Sequence, residues 1–161
     1  MAYLEETFIN RDLVLEFFLK FSRFEFALKL AGYARGNDTY IKPDWIRFAA
    51  TINDIFNKNH NPHLAQACEY FLINPPNQQV LVGGRLGWNP QPPAKANTEP
   101  KLLIALVKRV RNNLFHGGKY NAQMHEETAR SEMLLRGSLL ILDECLRVSP
   151  QVKNAYDGAT I

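Results

Sequence analysis

The chain lacks any long apolar run free of charge. Its most aromatic stretch, Leu13 to Leu30, is broken by Glu16, Lys20, Arg23, Glu25 and Lys29, which excludes a membrane-spanning helix there. The start, Met-Ala-Tyr-Leu-Glu-Glu, lacks a basic segment followed by an apolar one. No secretory signal is visible, and a cytoplasmic location is expected. Cysteine is scarce. Cys68 and Cys145 lie far apart in helical patterns, so buried free thiols are expected rather than a disulfide framework. His60 and His63 have no thiolate or carboxylate partners at a zinc-binding spacing, so no metal or other cofactor is expected. Gly83-Gly84-Arg85-Leu86-Gly87 lacks the strand–loop–helix setting of a phosphate loop. Acidic residues are missing altogether from 101–119, which carries Lys101, Lys108, Arg109, Arg111 and Lys119.

The rest is an ordinary globular composition, 46% apolar and 22% charged over 161 residues, with net charge +3. One domain spanning 1–161 is expected. Asn10 or Asp12 caps a helix to about Ala31 whose inner stripe is Leu13, Phe17, Phe21, Phe24, Leu28 and Ala31. Phe18, Leu19 and Phe26 widen that stripe, so the helix is either central or covered by a partner subunit. Gly36-Asn37-Asp38 reads as a turn. A second helix starts at Pro43 and runs to about Phe56. A third starts at Pro62 and ends before Asn74-Pro75-Pro76.

Residues 74–100 hold six of the nine prolines and read as a long loop, with a small hairpin possible across Gly83-Gly84. Arg85, Trp88 and Lys95 in it could meet single-stranded RNA, although a tryptophan pinning the loop is the plainer reading. A basic helix then runs from Glu99 to the stop at Gly117-Gly118. A last long helix spans about Ala122 to Arg147, and 150–161 reads as a loose tail. The expected fold is all-α: an antiparallel bundle of four to five helices with one Pro-rich loop.

Arg111 and His116 stand out. Arginine is a permanent cation suited to clamping phosphate, and histidine exchanges a proton near neutral pH. RNA cleavage without metal needs a base for the 2′-hydroxyl, an acid for the leaving 5′-oxygen and a cation for the charge on phosphorus. On a regular helix the two residues would sit about 140° apart. The Gly117 stop is expected to release His116 towards the arginine side. The plainer reading of such a pair is an ion-paired arginine and a histidine satisfying a terminal carbonyl. One such pair is half a site, and a two-fold axis would supply the other half.

Arg111-Asn112-Asn113-Leu114-Phe115-His116 resembles the Arg-x4–6-His motif of the HEPN superfamily (higher eukaryotes and prokaryotes nucleotide-binding). The polar Asn112 directly after the arginine also fits. Phe21-Ser22-Arg23-Phe24-Glu25-Phe26-Ala27-Leu28-Lys29 resembles the first helix of small stand-alone bacterial members. The resemblance covers residues 12–148, although its specific motif is short.

It implies a helical homodimer with two motifs facing each other. It also implies metal-independent RNA endonuclease activity leaving 5′-hydroxyl and 2′,3′-cyclic-phosphate or 3′-phosphate ends. Arg111 and His116 would be catalytic, and Asn112 would position the site. Glu25 and Arg23 are candidates to lean in from the first helix, with Lys108, Arg109 and Lys119 as RNA contacts. Equally, Glu25 could simply neutralise a basic neighbour such as Arg111 or Lys29. The biological role implied is that of a toxin or anti-phage effector, with an antitoxin or defence protein as a possible partner. One departure is plain. Gly118 stands where the paired-antitoxin branch has a tyrosine that its partner modifies, and the nearest tyrosine here is Tyr120. The alternative is a catalytically silent HEPN-like module that binds RNA, nucleotide or protein.

Overall fold

A computed structural model describes residues 10–116 and 124–158, and all their side chains except those of 124–127. Among the described residues are six α-helices and two antiparallel two-stranded sheets. The expected all-α bundle is therefore corrected: the fold is mixed, helical in its core with two β-hairpins at its edge. The elements run α1 (Arg11–Leu30), β1 (Ala34–Asn37), β2 (Tyr40–Pro43), α2 (Trp45–Thr51), α3 (Pro62–Ile73), β3 (Gln78–Val82), β4 (Arg85–Asn89), α4 (Glu99–Phe115), α5 (Met124–Arg147) and α6 (Pro150–Tyr156).

The first hairpin escaped the sequence because four-residue strands are too short to display alternation. The Asn37 side chain folds the turn by accepting from the Thr39 amide at 2.9 Å and its hydroxyl at 2.7 Å. Gly36, at φ +154, lets the strands close, since a Cβ there would meet the Tyr40 carbonyl oxygen at 2.1 Å. The second hairpin turns at Gly83 and Gly84, φ +54 and +77. Two successive positive angles are what the tight right-twisted hairpin turn requires.

Side-chain caps begin three helices; the sequence had singled out Asn10 for the first, and the second starts at Trp45 rather than at Pro43, which ends β2. Asn10 accepts from Leu13 N, Asp44 from Arg47 N, and Asn61 from His63 N. The second helix is shorter than expected, ending at Thr51 rather than near Phe56. The tail is not loose over 150–156: Pro150 starts α6, which buries Val152 and Ala155 and packs on α1.

The core joins every helix. Phe17, Phe21, Phe24, Trp45 and Phe48 form its aromatic centre, with Leu103, Leu106 and Val107 from α4 and Ile141, Leu142 and Cys145 from α5. Met133, expected inside, is 50% exposed. No helix among the described residues is long and apolar enough to cross a membrane.

Candidate functional site

Helix α4 presents three faces. Leu103, Leu106, Val107 and Val110 enter the core. A second face, Arg109 and Asn113, is also buried and serves the long loop. Arg109 Nη1 donates to the Gln91 carbonyl at 2.6 Å and the Pro76 carbonyl at 3.4 Å. Asn113 Nδ2 donates to the Asn77 carbonyl at 2.7 Å, and Arg130 of α5 to Pro75 at 2.7 Å. Burial lowers the Arg109 pKa from the ordinary arginine value. Arg109, expected to contact RNA, is thus committed to holding the base of the β3–β4 hairpin.

The third face meets α1 in an antiparallel seam. Phe115 packs on Phe18, ring centres 5.5 Å apart. One turn back, the Arg111 guanidinium lies over Phe21 at 5.7 Å and Phe115 at 5.1 Å. A further turn back, Lys108 feels the charge of Glu25. Among the described residues Arg111 makes no ion pair, and its hydrogen bond there runs from Nη1 to Asn112 Oδ1 at 2.9 Å, which holds the guanidinium beside the rings.

His116 caps the end of α4. Its amide donates to the Asn112 carbonyl at 2.9 Å, and its backbone angles, φ −93 and ψ 21, lie outside the helical region. No hydrogen bond or ion pair joins its exposed imidazole to Arg111 or to any other described residue. Helical phase carries the two side chains about 140° apart. The expected release of His116 by Gly117 concerns a residue outside those described, as do Lys119 and Tyr120.

The first-helix candidates separate. Glu25 Oε1 accepts from Trp45 Nε1–H at 2.9 Å and lies near Lys108 rather than bonding Arg111 or Lys29. Arg23 turns away from the seam: its Nε donates to the Tyr156 carbonyl at 2.6 Å and its guanidinium lies 4.8 Å over that ring, which ties α6 to α1. Lys108 is half-buried. Desolvation lowers its pKa, Glu25 opposes that, and the charges of Arg35 and Arg111 lower it further. Trp45 and Phe18 were not singled out as site residues. The spacing of Phe18, Phe21 and Glu25 on α1 against Phe115, Arg111 and Lys108 on α4 was the signal, readable only if the two helices were paired antiparallel.

No group of three or more His, Cys, Asp or Glu side chains suited to a metal occurs among the described residues. Arg85, Trp88 and Lys95 are exposed on or after the second hairpin and make no hydrogen bond or ion pair to α4. A small cleft between α4 and α5, lined by Val110, Leu114, Leu134 and Leu135, holds no titratable group.

Compared with known proteins, the chain matches no family model, no curated protein and no solved structure. The HEPN resemblance rests on the motif residues themselves.

Proposed function

We propose that the chain is a metal-independent RNA endonuclease of HEPN type, acting in the cytoplasm as a toxin or anti-phage effector. The observation that carries this reading is Arg111. It is a cation at the end of a basic helix with no carboxylate partner among the described residues, braced by Asn112 and two aromatic rings. A guanidinium held in that way is pre-organised for a phosphate. His116 would supply the proton transfers, first from the 2′-hydroxyl and then to the leaving 5′-oxygen.

Helical spacing separates the two positions by about 140° around α4, so the reading calls for a second copy. Leu15, Phe18, Leu19, Phe26 and Leu30 leave an apolar stripe on α1, each 41–57% exposed, and Phe115 extends it at 52%. Such a stripe is a natural cover for another subunit. It adjoins Arg111, so a two-fold pairing there would bring the two motifs near each other.

Purified protein should cleave RNA in EDTA, and His116→Ala and Arg111→Ala should each abolish cleavage. Loss of cleavage in EDTA, or a His116→Ala variant at full rate, overturns the mechanism. The separation of Arg111 and His116 favours one second reading, a silent HEPN-like module that binds RNA or a partner protein. RNA binding without cleavage at high protein concentration selects it.

A further inference from the structure

The β3–β4 hairpin carries an apolar face for which the bundle has no use. Residues paired across two strands lie on one side of the sheet, as do residues two apart along a strand. The pairs Leu81–Leu86 and Gln79–Trp88 therefore put Leu81, Leu86 and Trp88 on the same side. Leu81 is 79% exposed, Leu86 67% and Trp88 40%. The opposite side partly covers itself: Val82 leans over Gly87, where a Cβ would meet its Cγ2 at 2.7 Å. The sheet has two strands only, so no neighbouring strand extends it. The side chains are also layered along the arm. At about 3.3 Å per residue, Leu81 and Leu86 lie within about 7 Å of the Gly83-Gly84 turn, and Trp88 follows about 7 Å behind Leu86. Polar Asn89 and Gln91 come next, at the base. Aliphatic tip, indole, then polar base is the order of depth at a lipid–water boundary. The charge around the arm agrees with that. No Asp or Glu occurs between Glu69 and Glu99. Arg85 and Lys95 lie in that stretch, and neither makes an ion pair among the described residues. Single-stranded RNA would engage the cations and the indole, but exposed leucine and valine side chains offer it neither stacking nor hydrogen bonds.

We propose that the β3–β4 arm docks on an anionic lipid surface. Leu81, Val82 and Leu86 enter the boundary of the acyl chains, Trp88 lies among the headgroups, and Arg85 and Lys95 meet lipid phosphates. Interfacial elements bury their apolar groups about 5–10 Å deep, a depth that the aliphatic tip reaches. Arg85 shares its side of the sheet with Val82, and its long stem lets the guanidinium turn back to the headgroups. The contact is peripheral and spans nothing. It uses neither Arg111 nor His116, so it goes beyond the nuclease reading and does not depend on it.

The test is co-sedimentation of the whole chain with vesicles of phosphatidylcholine alone and of phosphatidylcholine mixed with phosphatidylglycerol, with tryptophan emission read in parallel. The mixed vesicles should bind the chain more tightly. Trp45 is 4% exposed in the core, so a blue shift on adding them reports Trp88, and Trp88→Phe should remove it. Leu81 and Leu86 are exposed, so replacing both by serine leaves the core intact. That double variant should bind mixed vesicles at least about tenfold more weakly, since burying one leucine is worth that much. Arg85→Gln should cost about fivefold on mixed vesicles, the usual effect of one cation near an anionic membrane, and little on neutral ones. The proposal is overturned if the wild type does not sediment with mixed vesicles, if it binds neutral vesicles equally well, if the serine variant binds as the wild type does, or if the blue shift survives Trp88→Phe. Self-association or binding of an uncleavable RNA that the serine variant loses, without vesicle binding, assigns the face to a second copy or to RNA and also overturns it. Vesicle binding without any RNA cleavage in EDTA would sink the nuclease reading and leave the lipid contact standing.

Discussion

Arg109 and Arg111 stand two positions apart on one helix and do opposite work. Helical phase sets them about 160° apart. Arg109 is 8% exposed and spends its donors on the carbonyls of Gln91 and Pro76. Arg111 lies over aromatic rings and keeps donors free. Removing Arg109 strands two carbonyls and frees the loop, so Arg109→Ala should lower stability by about 2–3 kcal/mol. Urea denaturation checks this, and a wild-type midpoint would refute the clamp. The sequence could not separate these arginines. It showed a basic run, but which cation meets a loop carbonyl depends on where residues 75–91 return, and no local pattern encodes that.

Glu144 tests the same logic for acid. It is 3% exposed, accepts from Arg147 at 2.7 and 2.8 Å, and accepts from the Asn57 amide at 3.0 Å. Burial pushes its pKa up, but the Arg147 and Asn57 bonds outweigh that and hold it below the ordinary carboxylate value. Its folded pKa is depressed. The stability it contributes is therefore complete above the unfolded carboxylate pKa, about 4.3, and is lost as pH falls through the lower folded value. In Glu144→Gln, stability should be lower near neutral pH and should fall less on acidification. Thermal midpoints measured from pH 7 to pH 3 check the slope; equal slopes in both proteins would contradict it.

At the scale of elements, long periodic segments were legible and short ones were not. The inner stripe of α1 came out except for Ala27, because twenty residues of three-and-four spacing allow one phase. The glycine pair of the second hairpin was legible because its turn chemistry is local. The first hairpin and α6 were missed for a common reason. Each is too short to display a period, and each owes its order to α1, which lies distant in sequence from α6. Arg23 illustrates the cost. It looked like a site residue, and its bond to Tyr156 could be anticipated only by knowing that α6 returns there. The seam was hidden in the same way: all six side chains were visible, but the antiparallel register that faces Glu25 to Lys108 was not.

At the scale of the molecule, the apolar stripe of α1 is the feature that one chain leaves unresolved. The sequence suggested a central helix or one covered by a partner, and the exposure of Phe18, Leu19 and Phe26 favours the second. Phe18→Asp places a charge in the middle of the stripe while its neighbours Phe17 and Phe21 remain in the core. If the proposed dimer forms through this stripe, sedimentation should show a dimer for the wild type and a monomer for the variant, with the proposed RNA cleavage falling in step. A wild-type monomer that cleaves RNA at a rate per chain independent of concentration would remove the need for a second copy.

The clamp at the second hairpin has another consequence. The chain leaves the helical body at Pro76 and comes back at Gln91, and a single guanidinium holds both points. The fourteen residues between them form a loop whose ends are already closed by the bundle. Its closure entropy grows only logarithmically with length, and the turn at Gly83-Gly84 is exposed and touches nothing a Cβ would meet. The arm is thus a place where the chain can be lengthened while the bundle keeps its shape, so variation in what the hairpin carries is uncoupled from the helices that hold Arg111.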